Sequence, residues 1–320
     1  MTETPRNIDD VVATMTAVKA GIESVIEGKQ AQVETALVVL LAGGHLLIED
    51  VPGVGKTMLA KALARSIKGS VRRIQFTPDL LPSDVTGVSV FNQETRSFEF
   101  KPGGIFANIV VGDEINRASP KTQSALLEAM AEQQVSVDGV TYGLSSPFMV
   151  IATQNPIEME GTYPLPEAQL DRFMARIEMG YPARRSEVAM LGSRGQSDPL
   201  AALQPVTDVA TVAKLVHAVR GVYVATVIRE YIVSIVAATR TSSSLKLGAS
   251  PRSSLQLMAS ARALAALSGR DYVIPEDVVS LAPTVLAHRV LPSVDAQVAR
   301  RTTRDIISEL AARVPTPERR

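Results

Sequence analysis

The stretch Glu49-Asp50-Val51-Pro52-Gly53-Val54-Gly55-Lys56-Thr57-Met58 decides the fold. A short apolar run, Leu46-Leu47-Ile48, precedes it. After it Leu59, Leu63 and Ile67 recur every three or four residues, with Ala60 and Ala64 beside them, up to Gly69. That spacing predicts an amphipathic helix with a glycine just past its end. The stretch therefore reads as a strand, a glycine-rich turn and a helix N-terminus. Successive N–H groups in such a turn point at one spot, and the positive end of the helix dipole adds to their field. Glycines let the backbone approach phosphate oxygens without a Cβ in the way. The candidate nucleotide contacts are Pro52, Gly53, Val54, Gly55, Lys56, Thr57 and Met58. Lys56 is placed to reach the β- and γ-phosphates of ATP, and the Thr57 hydroxyl to hold Mg²⁺. One position departs from the usual P-loop, because Asp50 stands where the first glycine is expected; Asp tolerates left-handed backbone better than most residues. A plain glycine turn between strand and helix would use the same residues.

Composition narrows the classes. The 320 residues suffice for one large or two ordinary domains. Basic and acidic residues balance at 33 each, so no global field draws the chain to nucleic acid. Cysteine is absent, which excludes disulfides and thiolate metal sites. The polar start Met1–Arg6 lacks the apolar core of a secretory signal. The longest apolar run, Ala36 to Ala42, is too short to span a bilayer. The expectation is a soluble, cytoplasmic protein with no membrane insertion.

The rest of the chain supplies chemistry in order. Val11, Val12, Met15 and Val18 mark a first helix; Val33, Leu37, Leu40 and Leu41 mark a second, after a turn at Val25–Lys29. Ile74 and Phe76 alternate with Arg73 and Gln75 as a strand. Val88 and Val90, then Phe98 and Phe100, flank a polar turn and predict a β-hairpin insertion. Ile109-Val110-Val111-Gly112 is a buried strand delivering Asp113-Glu114 at its C-terminal end, where nucleotide sheets bind ligands. Asp113 can complete a Mg²⁺ shell and Glu114 can orient or deprotonate water; an Asp-Glu pair also serves as a helix-capping turn. Ser119 and Pro120 predict a helix start. Asp138-Gly139 predicts a two-residue hairpin with Val135, Val137, Val140 and Tyr142 on one face. The strand Phe148–Ala152 brings Asn155 to the same sheet edge, where its amide can position a water, although taken alone Asn155-Pro156 reads as an ordinary turn. Arg172 follows on an irregular segment, as a surface charge or as an arginine finger aimed at a neighbouring subunit's nucleotide. From Pro182 onward only helices are predicted, at Ala210–Ala218, Ala225–Thr239, Pro251–Leu267 and Pro275–Ala287. Ser250 caps the third of these and Arg252 projects from its first turn. His45, His217 and His288 have no ligand spacing and read as structural.

These segments, together with Asp113–Met130 and Gly161–Phe173, resemble the MoxR family of AAA+ ATPases over essentially the whole chain. That family commonly carries the Asp50 variant, and Gly112 and Met159 sit where variation is expected. The resemblance implies an α/β AAA+ P-loop core, a parallel sheet between helices with two β-hairpin inserts, over residues 1–182. A small all-α lid over 183–320 would follow. The hairpins match the helix-2 insert and pre-sensor-1 hairpin of the clade that includes magnesium chelatase and minichromosome maintenance helicases. By position, Lys56 and Thr57 correspond to Walker A, Asp113 and Glu114 to Walker B and Asn155 to sensor 1. Arg172 corresponds to the arginine finger and Arg252 to sensor 2, in its own subunit or a neighbour's. Val25, Ile26 and Gly28 fall where such ATPases touch adenine. The implied function is Mg²⁺-dependent ATP hydrolysis by a homo-oligomer, commonly a hexamer, remodelling or maturing a protein client. A separate von Willebrand factor A-domain protein is the usual partner. Two rivals are a nucleic-acid or chelatase-type motor subunit and an ATP-controlled scaffold with little turnover.

Overall fold

The computed structural model describes residues 8–51, 53–155, 162–185, 187–188 and 198–317. Its centre is a five-stranded, wholly parallel sheet. The strands are β1 (Leu46–Glu49), β2 (Val71–Gln75), β5 (Ile109–Asp113), β8 (Met149–Gln154) and β9 (Ala175–Ile177), in the order β2-β5-β8-β1-β9. β8 lies between the glycine-loop strand and the acid-bearing strand, pairing Leu46 with Ile151 on one side and Val111 with Ile151 on the other. All these strands therefore end at one edge of the sheet.

Each strand alternates its faces, and two cores result. Leu46, Ile48, Ile109, Val111 and Ile151 pack under the helices Ile8–Glu23, Gln30–Leu41 and Lys56–Ser66. Leu47, Val110, Val150 and Ala152 pack with Phe76 and with Leu126 and Met130 of the helix Pro120–Glu132. The first core continues without a break into the C-terminal helices through Ile228, Ile235, Leu257 and Val278.

The predicted inserts are both present. β3 (Gly87–Asn92) pairs with β4 (Ser97–Pro102), and β6 (Gln134–Val137) with β7 (Val140–Gly143). Val135 faces Tyr142 and Val137 faces Val140, as the alternation requires. Asp138 and Gly139 take φ values of 51° and 78°, the two left-handed residues of a type I′ turn. At the base of the first hairpin the backbones touch: a Cβ on Gly103 would lie 2.3 Å from the Val85 carbonyl oxygen. The hairpins are joined to each other, since Phe100 stacks on Tyr142 at 3.9 Å and 13°.

Two expectations need correction, the wholly helical lid and the Ser250 cap. The lid is not all helix: β10 (Leu245–Leu247) and β11 (Leu291–Pro292) form a short antiparallel ladder inside it. Arg172 lies on a turn, as expected, and the chain just after it becomes β9, the edge strand beside β1, which the sequence pattern did not indicate. A short helix, Pro82–Thr86, precedes the first hairpin. The helix Pro251–Leu267 falls where predicted, but Ser250 makes no side-chain cap; its hydroxyl donates to Asp171 instead. Ser119 does cap its helix, accepting from the Thr122 N–H.

His45, at the entrance to β1, ties two elements together. Its Nδ1 accepts from the Val150 N–H at 3.0 Å, and Nε2 donates to the Met130 carbonyl at 3.1 Å. Burial pushes the imidazole down from 6.5 to about 4, and burial likewise lowers His288. Below pH 6.5 the unfolded chain gains a proton that folded His45 refuses until about 4. Its contribution is therefore full above pH 6.5 and is lost as pH falls toward 4, by about 3 kcal/mol. Denaturant titrations should show that decline, with a shallower slope in His45→Gln; an unchanged slope in the variant would assign it elsewhere.

Candidate functional site

The glycine loop is held open by its neighbours. Gly53 and Gly55 take φ values of 84° and 95°, and a Cβ on either would meet nothing within 4 Å. The space beside both glycines is therefore open at the N-terminus of the helix Lys56–Ser66, where the helix dipole places partial positive charge. Lys56 arches back, its ammonium donating to the Asp50 carbonyl at 2.7 Å. Asp50 does not take left-handed backbone, contrary to the sequence expectation. It works through its carboxylate, which accepts from the Val51 N–H at 2.7 Å and from the Gly180 N–H. Pro52 lies outside the described residues; Val54 and Met58 are half-buried against the first core.

The acids stand beside the loop. Asp113 ends β5 almost fully buried, and Oδ2 receives Arg73 Nε at 2.5 Å. The Thr57 hydroxyl lies 3.4 Å from the same oxygen, and Thr153 donates to Oδ1 at 3.2 Å. Glu114 takes left-handed backbone, φ 57° and ψ 49°, and its N–H donates to Thr153. The turn swings its carboxylate to the sheet edge, where Gln75 Nε2 and Arg117 Nη1 donate to Oε2 at 2.9 and 3.0 Å. Asn155, buried, directly follows β8. Thr57 and Asp113 present hydroxyl and carboxylate oxygens, the donor chemistry that suits Mg²⁺. Among the described residues no group of three His, Asp or Glu side chains gathers as a metal cage of its own.

The turn before the helix Gln30–Leu41 is wired to this loop. Ile26 is buried, Val25 is half-buried against the same core, and Gly28 takes φ 74°. Lys29, buried beside them, donates to the carbonyls of Met179, Gly180 and Tyr181. Gly180 in turn donates to Asp50. The proposed base-contacting turn and the phosphate loop thus share one strap.

The two remaining candidates sit elsewhere. Arg172 is half-buried and donates from Nη1 to the Leu127 carbonyl at 2.6 Å. Arg252 is exposed on the first turn of its helix, and its positive field reaches His45 and Arg289. Arg73, Gln75, Lys29 and Arg289 were not singled out from the sequence. Only the alternation of Arg73 and Gln75 on one face of β2 hinted at two of them.

A five-stranded parallel sheet with a glycine loop after β1, paired acids after β5 and a helical lid behind defines a AAA+ ATPase. The comparisons agree. The family model for the ATPase family associated with various cellular activities matches residues 45–175, and that for the AAA lid domain matches 237–310. YeaC of Bacillus subtilis is 52% identical over 299 residues, covering 93% of each chain. Chaperone MoxR1 of Mycobacterium tuberculosis is 42% identical over 306 residues, covering 93% of this chain and 81% of its own. A crystal structure of a candidate ATPase from Cytophaga hutchinsonii superposes with a TM-score of 0.89 at 36% identity, covering 97% of this chain and 98% of that one. The chain belongs to the MoxR family of AAA+ ATPases.

The Asp50 brace yields a test. Asp50→Gly restores the residue usual in P-loops but removes the acceptor for Val51 and Gly180. Losing a charge-assisted hydrogen bond of roughly 2 kcal/mol should weaken nucleotide binding at least about tenfold. Equal or tighter binding in a fluorescent-nucleotide titration would show that the brace is idle.

Proposed function

We propose that the chain hydrolyses ATP with Mg²⁺ at the interfaces of a homo-oligomeric, hexameric ring, and uses the cycle to remodel or mature a protein client. The observation that carries this is the meeting of Lys56, Thr57, Asp113 and Glu114 at one sheet edge in a chaperone-related AAA+ family. In this reading the loop amides and Lys56 bind the phosphates, and Thr57 and Asp113 hold Mg²⁺, which supplies charge neutralisation on the phosphate oxygens. Glu114 takes the proton of the attacking water, which Asn155 helps to orient.

The latch on Glu114 sets a condition. While Gln75 and Arg117 both donate to its Oε2, that oxygen is engaged and not open to the proton of the attacking water. Turnover therefore requires this pair to be exchanged for water when nucleotide and neighbour are in place. Arg172 supplies the finger to the neighbour's nucleotide, and Arg252 senses the phosphates from the lid. The proposed division at 182/183 is supported by the separate spans of the two family models.

The two hairpins are the proposed client-facing parts. Stacking of Phe100 on Tyr142 couples them, and Phe91 and Phe98 pair edge to face near the exposed end, 51% and 74% accessible. A separate von Willebrand factor A-domain partner and a cytoplasmic setting complete the reading. No described helix is long and apolar enough to cross a membrane. The balanced charge, 33 against 33, disfavours nucleic acid as the client.

Glu114→Gln should bind ATP within about twofold of wild type and lose at least about a hundredfold in turnover, as removal of a general base does. Gln75→Ala, which frees Glu114 of one donor, should raise basal turnover. Wild-type chain that binds ATP yet turns over no faster than Glu114→Gln would replace the hydrolytic reading with a nucleotide-controlled scaffold.

A further inference from the structure

The lid grips the segment that carries Arg172 on both sides of it. Asp171 accepts at Oδ2 from the Ser250 hydroxyl at 3.0 Å, while its Oδ1 faces Arg289 Nη1 at 3.4 Å. The second contact is ionic and lacks hydrogen-bond geometry. Arg289 Nη2 donates to the Phe173 carbonyl and to Gln256 Oε1, and lies 3.4 Å from the Met174 carbonyl. Arg172, between these anchored residues, reaches the core at Leu127.

Two features make this more than a staple between domains. Arg289 is only 5% exposed, and burial lowers its guanidinium to about 10, so it is still charged at neutral pH. A buried cation holds a domain contact no better than apolar packing of the same volume, whereas its directional donors fix geometry. The grip is also built from the helix bearing Arg252. Ser250 stands at that helix's start, two residues before Arg252, and Gln256 lies one turn beyond. Any rotation of this helix that moves Arg252 must carry Ser250 and Gln256 with it.

We propose that Arg289, with Asp171, is a positioning residue for Arg172, linking the lid's orientation over its own nucleotide to the finger presented to the next subunit. This rests on the reading that Arg172 acts in trans. The lid end of the link is Ser250, Gln256 and Arg289; the core end is Asp171 and the carbonyls of Phe173 and Met174. A subunit whose lid is turned away would present a misplaced finger, so adjacent sites would fire in sequence.

The test uses mixed assemblies. Arg289→Gln and Asp171→Asn are assayed alone and mixed in equal amounts with Glu114→Gln, beside Arg172→Ala mixed in the same way. Each variant alone should lose at least about tenfold in turnover, as weakened fingers do, while nucleotide affinity stays within about twofold. Mixing should restore about a quarter of wild-type turnover, because half the subunits keep Glu114 and half of those face an intact finger in a heterologous ring. Arg289→Lys, which keeps the charge, should retain more turnover than Arg289→Gln. If Arg172→Ala is rescued by mixing but Arg289→Gln and Asp171→Asn are not, their defect lies in their own site and the proposal is overturned while the interface reading stands. Wild-type turnover in both variants would overturn it too. If Arg172→Ala is not rescued, the interface reading falls and this proposal falls with it. Should Arg289→Gln fail to fold, the nearly isosteric Asp171→Asn decides.

Discussion

A carboxylate buried at the end of a central strand has to be paired, and the pairing of Asp113 organises the nucleotide edge of this molecule. Arg73 from β2, Thr57 from the helix after the glycine loop and Thr153 from β8 all converge on its two oxygens. Three elements distant in sequence are thereby fixed relative to one another at the point where phosphate charge arrives. Thr153 also receives the Glu114 N–H, which stabilises the left-handed turn that aims the second acid outward. One buried charge therefore sets the positions of the proposed metal-holding pair and the proposed base together.

The same logic extends outward through main-chain carbonyls. Lys29 gathers those of residues 179–181, and Arg289 gathers those of residues 173 and 174. Between these two buried cations runs β9, the strand leading from the core toward the lid. Its neighbour is β1, so the strap between the domains is hydrogen-bonded directly to the strand that carries the glycine loop. Movement of the lid has few ways to avoid the phosphate site.

Much of this was legible in the residues, and what was missed shares a cause. Local patterns worked where the physics is local: glycines before an amphipathic helix, Asp-Gly between alternating strands, and Ser-Pro at a helix start. Strands β9, β10 and β11 were missed because two or three residues are too few to display a period of two. The cations Arg73, Lys29 and Arg289 were missed because Asp113, Tyr181 and Phe173, which they reach, lie 40, 152 and 116 residues away, separations that leave no trace in local composition. Asp50 was read as a residue tolerant of left-handed backbone, whereas its backbone is not left-handed and its carboxylate accepts from Val51 and Gly180. Ser250 was read as a cap because a local partner was assumed; its real partner is across the domain boundary.

On the proposed reading, one chain binds nucleotide by itself but hydrolyses it only when a neighbour contributes Arg172. The most direct measurement is Mg-ATP turnover per subunit as a function of protein concentration, for wild type beside Arg172→Ala. Specific activity should rise with concentration to a plateau in wild type and stay flat and low in a variant that still binds ATP. Turnover independent of concentration and unaffected by Arg172→Ala would contradict it.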